Sequence, residues 1–158
     1  MKSVIHDIGE RLKITCIMIS HDPLDTLSWS DEILVMKDGH ILQRGTPQQI
    51  YSEPVNEYTA ALFGNYNLLS LPEAKSFNFL ASVPAGKKLL IRSENFKIES
   101  QENSNITGKV IKVIFFGSYY EVEVSVSEII ITVRTKDNNI AKGDTIYLFL
   151  ASDAVWLI

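Results

Sequence analysis

The chain has 158 residues, 46% of them hydrophobic, which is enough for one or two small domains with real cores. Its formal net charge of −4 lies entirely in residues 1–65, which hold 5 Lys+Arg and 9 Asp+Glu, because residues 66–158 hold 10 of each. We expect neither a membrane span nor a signal peptide, since the apolar runs are short and Met1 to Lys13 carries charges throughout.

The most informative stretch runs from Ile14 to Asp22. Its apolar residues predict a buried strand, preceded by a helix over Lys2 to Lys13 whose apolar side chains recur at helical spacing. The strand leads into His21, in the place where open α/β sheets put their chemistry. Cys16 is the single cysteine and lies inside this strand, so we interpret it as a core residue and exclude an internal disulfide.

A helix and a β-hairpin follow. Asp22 is the predicted N-cap of a short helix, with Pro23 at the first helical position. Ile33 to Lys37 is an apolar strand, and Asp38-Gly39 is a strong signal for a two-residue hairpin turn. His40 to Arg44 is therefore the predicted returning strand.

Two further helices are predicted after the hairpin. Thr46 to Gln49 has the pattern of a capping box with proline at the first helical position, which begins a helix through Ile50 and Tyr51. Pro54 ends that helix. A second helix covers about Asn56 to Phe63, and Gly64 closes it.

The remainder changes to the pattern of a β-protein. After a polar connector, Asn65 to Glu73, alternating residues and closely spaced turn signals predict several short strands. These strands are Phe77–Val83, Lys87–Arg92, Ile106–Phe116, Tyr119–Val126, Ile129–Thr135, Thr145–Leu150 and Val155–Ile158. So many short strands in so few residues predict a small barrel, most plausibly OB-like.

Residues 14–64 resemble the last third of the ATP-binding subunit of an ABC importer. The resemblance rests on ISHDPLD and, further along, on ILVMKDGHILQRGTPQQIYSEP. It implies that His21 is the switch histidine, the residue that contacts the γ-phosphate of ATP and helps to set up the attacking water. An imidazole suits that role because one nitrogen can donate to a phosphate oxygen while a neighbour holds the other.

The other nucleotide-binding motifs of that family do not occur in this sequence. There is no G-x-x-x-x-G-K-[ST] phosphate loop, no apolar strand ending in paired acids and no signature stretch. We therefore expect a carboxy-terminal piece of the ATPase. ATP and Mg²⁺ would be cofactors of the full-length protein, whereas we expect this chain to bind no cofactor and to hydrolyse no ATP by itself.

The β-rich part resembles the TOBE domain that follows the ATPase core in importer subunits. The resemblance rests on Ile91–Glu94, Gly108–Val110, Phe116-Gly117 and Gly143-Asp144, with Ser93 where the family often has proline. It implies an ATPase fragment over 1–64, a linker over 65–73 and a TOBE domain over 74–158.

The two resemblances together predict an α+β chain: the end of an α/β ATPase core (strand, helix, β-hairpin and two helices) followed by an OB-like TOBE barrel. They also imply a homodimer and membrane permease partners without direct membrane insertion. We expect a cytoplasmic protein, peripheral to the inner face of the cell membrane, that couples ATP hydrolysis to solute uptake. Phe63 to Leu69 looks slightly more like the iron or polyamine branch.

Two alternative functions remain open for the barrel. A stand-alone OB-like module could sense a small oxyanion or other ligand, with Arg92 and Lys109 contributing to an anion pocket.

Exposed aromatic residues of an OB-like barrel could also stack on nucleic-acid bases. The aromatic residues in question are Phe115, Phe116, Tyr119 and Tyr120. We favour core packing for them and predict no nucleic-acid binding, because the barrel has no net positive charge. No grouping of residues in the sequence has the spacing of a metal site.

Overall fold

The structure is a computed structural model and describes residues 9, 11–75, 77, 84 and 86–158. The first part, residues 11–64, is called the N-terminal segment. Its elements are α1 (Pro23–Thr26), β1 (Ile33–Lys37), β2 (His40–Gly45), α2 (Pro47–Ser52) and α3 (Glu57–Leu62). The predicted helix over Lys2 to Lys13 lies mostly outside the described residues, within which Gly9, Arg11 and Leu12 are helical.

The second part, from residue 66 onward, is called the β region. Its elements are β3 (Tyr66–Leu69), α4 (Leu71–Ala74), β4 (Leu89–Arg92), β5 (Lys97–Ile98), β6 (Ile106–Phe115), β7 (Tyr120–Val126), β8 (Ile129–Thr135), β9 (Thr145–Phe149) and β10 (Trp156–Leu157). Two 3₁₀ turns, Ser93–Asn95 and Gln101–Asn103, lie on either side of β5. The strand predicted over Phe77–Val83 falls almost wholly outside the described residues.

The predicted hairpin and helix caps are confirmed. β1 pairs antiparallel with β2, and the turn residues Asp38 and Gly39 have φ of 50° and 79°, the left-handed conformation that a tight hairpin turn requires. Thr46 forms the capping box with Gln49 at the start of α2. A small core between the hairpin and the helices holds these elements together; its buried members are Ile33, Val35, Ile50 and Phe63.

The strand predicted at Ile14–Ile19 is wrong in this structure. Residues 14–20 have no regular secondary structure, and Ile17 and Ile19 are 83% and 97% exposed. Cys16 is exposed as well, so its interpretation as a core residue is also wrong. The physical reason is the lack of partners: an apolar strand is stable only when neighbouring strands take its backbone hydrogen bonds, and none of the described strands pairs with this one.

The β region consists of two antiparallel sheets. The larger has the strand order β5-β9-β6-β7-β8, and the smaller has the order β10-β4-β3. One core cluster takes side chains from both, including Leu69 and Ile91 from the smaller sheet and Val110 and Val124 from the larger. Gly108 permits a close approach of β6 to β7, because a Cβ at this position would lie 2.4 Å from Val124 Cγ1. The α+β class with an OB-like β domain is confirmed.

Residues 65–73, predicted to be a linker, contain regular structure. β3 pairs with β4 along its whole length, from Tyr66 opposite Arg92 to Leu69 opposite Leu89. α4 follows at once, with the Glu73 carboxylate accepting a hydrogen bond from the Ser70 backbone N–H at 2.7 Å. The chain therefore passes from the N-terminal segment into the β region without an unstructured connection.

Candidate functional site

His21 lies on the surface, in the turn that precedes α1. The turn is held by Ser20, whose hydroxyl accepts a hydrogen bond from the Asp22 backbone N–H at 3.0 Å. The imidazole is therefore accessible, as a group that meets a phosphate must be, but it stands in a turn rather than at the end of a paired strand. Its predicted role toward the γ-phosphate of ATP stays a prediction.

The described residues do not fit a complete ATP–Mg²⁺ site. Within them, no three or more His, Cys, Asp and Glu side chains are grouped so that they could hold a metal ion. The sequence also lacks the phosphate loop whose backbone N–H groups cradle a triphosphate. His21 is thus the one candidate that the sequence offered for a nucleotide contact, and no catalytic step follows from this structure.

The exposed apolar side chains of the N-terminal segment include two groups. One is the stretch that contains Ile14, Ile17 and Ile19, which are 54%, 83% and 97% exposed. The other is the outer face of the hairpin, where Met36 lies directly opposite Ile41 and the two are 56% and 59% exposed. Exposed apolar side chains that form a contiguous patch mark an interaction site, and these two groups are the candidates for one in the N-terminal segment.

The two parts of the chain meet at a buried guanidinium. Arg92, the last residue of β4, is only 3% exposed. Its Nη1 donates to the backbone carbonyls of Ala60 at 2.9 Å and Gly64 at 3.1 Å, and its Nη2 donates to the carbonyl of Tyr51 at 2.9 Å. We call these four residues the Arg92 junction.

The acceptors in the Arg92 junction explain why an arginine is stable there. Tyr51 and Ala60 lie near the carboxyl ends of α2 and α3, where the last carbonyls of a helix carry partial negative charge, and the Ala60 carbonyl also accepts from the Phe63 backbone N–H at 3.3 Å. The Arg92 guanidinium also lies over the Tyr51 ring, with Cζ 4.2 Å from the ring centroid. One side chain of the β region thus satisfies the ends of two helices in the N-terminal segment.

Burial changes the titration of the groups in the junction. It lowers the pKa of Arg92, an effect that the nearby Tyr51 and Glu94 oppose. It also raises the pKa of Tyr51 to about 12, and the hydrogen bond from the Tyr51 hydroxyl to the Glu94 carboxylate adds to that shift. At neutral pH the phenol is therefore protonated and available as a donor.

Further polar contacts surround the junction. The Tyr66 hydroxyl donates to the Glu57 carboxylate at 3.1 Å. The Trp156 indole Nε1–H donates to the Pro54 carbonyl at 3.1 Å. These contacts link β3 and β10 to the helical part, so both edges of the smaller sheet reach the N-terminal segment.

The structure does not support an anion pocket that uses Arg92. The carbonyl contacts described above occupy the Arg92 guanidinium, so the alternative in which it contributes to an oxyanion site is not supported. Lys109 is exposed on β6. A cleft of about 430 Å³ between β3, α4 and β8 carries the carboxylates of Glu73 and Glu128. Hydrogen bonds from Ser70 hold the pKa of Glu73 below its ordinary value, so this lining repels an oxyanion at neutral pH.

An aromatic cluster lies at the turn between β6 and β7. The rings of Phe116 and Tyr119 stack with centroids 5.4 Å apart, and the Arg134 guanidinium lies over the Tyr119 ring at 3.6 Å. Phe115 and Phe116 are 62% and 49% exposed, so the interpretation of these two as core residues is wrong. Phe115 is the last residue of β6 and Phe116 follows it, and alternation along a strand does not reveal whether another layer covers the strand end.

Comparison with known proteins gives the family. Residues 89–158 match the family described as TOBE domain. The whole chain is 31% identical to the spermidine/putrescine import ATP-binding protein PotA of Clostridium acetobutylicum and covers 48% of that protein. This chain carries a TOBE domain and is similar over its whole length to the ATP-binding subunit of an ABC importer. A second such subunit, PotA of Clostridioides difficile, is 34% identical over 79% of the chain and 40% of its own length.

The importer subunits that this chain matches are about twice its length or longer, since it covers 39% to 48% of them. PotA of Mycoplasma capricolum is 35% identical over 81% of the chain. Among the described residues of the chain, no helix is both long and apolar enough to cross a membrane.

Proposed function

We propose that this chain is the carboxy-terminal part of the ATP-hydrolysing subunit of an ABC importer. Residues 1–64 are the end of the ATPase domain, 65–73 the connection and 74–158 the TOBE domain. The single observation that supports this most strongly is the alignment of the whole chain with an importer ATP-binding subunit. In the intact subunit ATP and Mg²⁺ are the cofactors, and His21 contacts the γ-phosphate.

The proposed solute is a polyamine, because the relatives named above are spermidine/putrescine import proteins. The proposed partners are the membrane permease subunits and a second copy of the subunit, which places the protein at the inner face of the cell membrane. The exposed apolar surface of the N-terminal segment supports such partners, since surface of this kind is normally covered by protein. The TOBE domain would serve dimerisation or regulation.

A hybrid subunit tests this function. The chain replaces the corresponding part of the Clostridium acetobutylicum relative, and putrescine uptake is measured in cells that lack the native subunit. We expect the hybrid to restore uptake, His21→Ala to abolish it and His40→Ala, at an exposed hairpin position, to leave it unchanged. A well-folded hybrid that restores no uptake, or one that tolerates His21→Ala, would contradict the proposal.

A further inference from the structure

The hydrophobic cores of the two parts of the chain are separate. The cluster in the N-terminal segment is built on Ile33, Val35, Ile50 and Phe63, and none of these belongs to the cluster of the β region. No continuous apolar core therefore joins the two parts within the described residues. Relative motion of two units is the default expectation unless the interface between them is large and hydrophobic.

The Arg92 junction is the buried charged contact across that interface. Its donors reach carbonyls at the ends of both α2 and α3 from a single strand. Separating the parts would leave the guanidinium without acceptors and the Tyr51 and Gly64 carbonyls without this donor, which is costly for groups removed from water. The contact from Trp156 to Pro54 is more peripheral, since Trp156 is 37% exposed.

We propose that the Arg92 junction couples α2 and α3 to the TOBE sheets, so that the two parts of the chain move and unfold as one body. Arg92 acts as a positioning residue: it fixes the helix ends relative to β4 and takes no part in chemistry. A planar guanidinium spreads several donors over a fixed fork that suits carbonyls on two helices, whereas a lysine ammonium offers its three donors from a single nitrogen. This inference goes beyond the proposed function, and its test needs neither nucleotide nor permease.

Hydrogen–deuterium exchange on the whole chain tests the coupling. Arg92→Met removes the donors and keeps an apolar stem; Arg92→Lys keeps the charge alone. Lys112→Met is the control, because Lys112 is a cation whose partner, the Glu123 carboxylate at 3.7 Å, lies inside the β region. We expect exchange across residues 47–64 to rise roughly tenfold or more in Arg92→Met, less in Arg92→Lys and not at all in Lys112→Met.

Exchange at increasing urea separates coupling from a general loss of stability. In the unaltered chain we expect residues 47–64 and 120–135 to lose protection at the same urea concentration, and in Arg92→Met we expect residues 47–64 to lose it first. Simultaneous loss in Arg92→Met, or unchanged exchange at 47–64, would overturn the proposal.

A second variant covers the case in which Arg92→Met does not fold. Tyr51→Leu removes the ring under the guanidinium and the hydroxyl that donates to Glu94, yet leaves the carbonyl acceptors in place. We expect the same segment to exchange faster, by a smaller factor than in Arg92→Met. Exchange that rises equally in the β region, or does not rise at all, would overturn the proposal as well.

Discussion

The N-terminal segment and the β region differ in how much of their apolar surface they bury. Among the described residues, the β region encloses a cluster of 16 buried hydrophobic residues, and the N-terminal segment has one of only 4. The segment also exposes large apolar side chains such as Ile17 and Ile19, whereas the β sheets cover most of theirs. The β region therefore carries its own core, whereas the N-terminal segment depends on contacts with other surfaces.

The largest expected effect on stability comes from truncating a side chain in the core of the β region. Ile131 is fully buried, so Ile131→Ala should lower the free energy of unfolding by about 2–5 kcal/mol. Ile17 is 83% exposed, so Ile17→Ala should change that free energy by less than about 0.5 kcal/mol. Urea unfolding measures both. Equal losses of unfolding free energy in the two variants would contradict this difference between the two parts of the chain.

Self-association should follow from the exposed surface of the N-terminal segment. We expect size-exclusion chromatography with light scattering to give a dimer, because a second copy can cover the apolar side chains. Replacing both Ile17 and Ile19 by Asp should shift the chain toward monomer, and Ile130→Asp, at an exposed position of β8, should not. A strictly monomeric unaltered chain would contradict this expectation.

The smallest effect concerns pH and the Arg92 junction. The pKa of Tyr51 is raised from 10.0 to about 12, so the folded state keeps the phenol proton after the unfolded state has lost it. Its stabilisation is therefore fully present below pH 10 and is lost as pH rises toward 12, by about 1 kcal/mol after allowance for the partial exposure of the side chain. The free energy of unfolding of Tyr51→Phe should fall less steeply with pH over this range than that of the unaltered chain. Equal slopes would contradict the assignment of this pH dependence to Tyr51.

The sequence predicts the local structure of this chain well where short-range rules decide it. The Asp38-Gly39 turn, the capping box at Thr46 and the hairpin strands all follow from residues close in the sequence, and all are present. The strand at Ile14–Ile19 fails for the opposite reason: its residue types favour a strand, but pairing requires neighbours that the described residues do not supply.

The candidate site was only partly predictable. His21 is identified by its motif, and the structure adds that it is exposed. The role of Arg92 was missed because its acceptors, such as the carbonyl of Ala60, lie 32 residues earlier in the chain. One signal was present: an arginine at the end of the apolar run LLIR is costly to bury unless acceptors meet it.

We propose that this chain supplies the His21 part of an importer ATPase and not the whole nucleotide site. The rate of Mg-ATP hydrolysis is the decisive test of this proposal. It is measured for the purified chain and for the purified hybrid described above. The account predicts no turnover by the chain and turnover by the hybrid that His21→Ala removes. Hydrolysis by the chain alone that disappears with His21→Ala would contradict it.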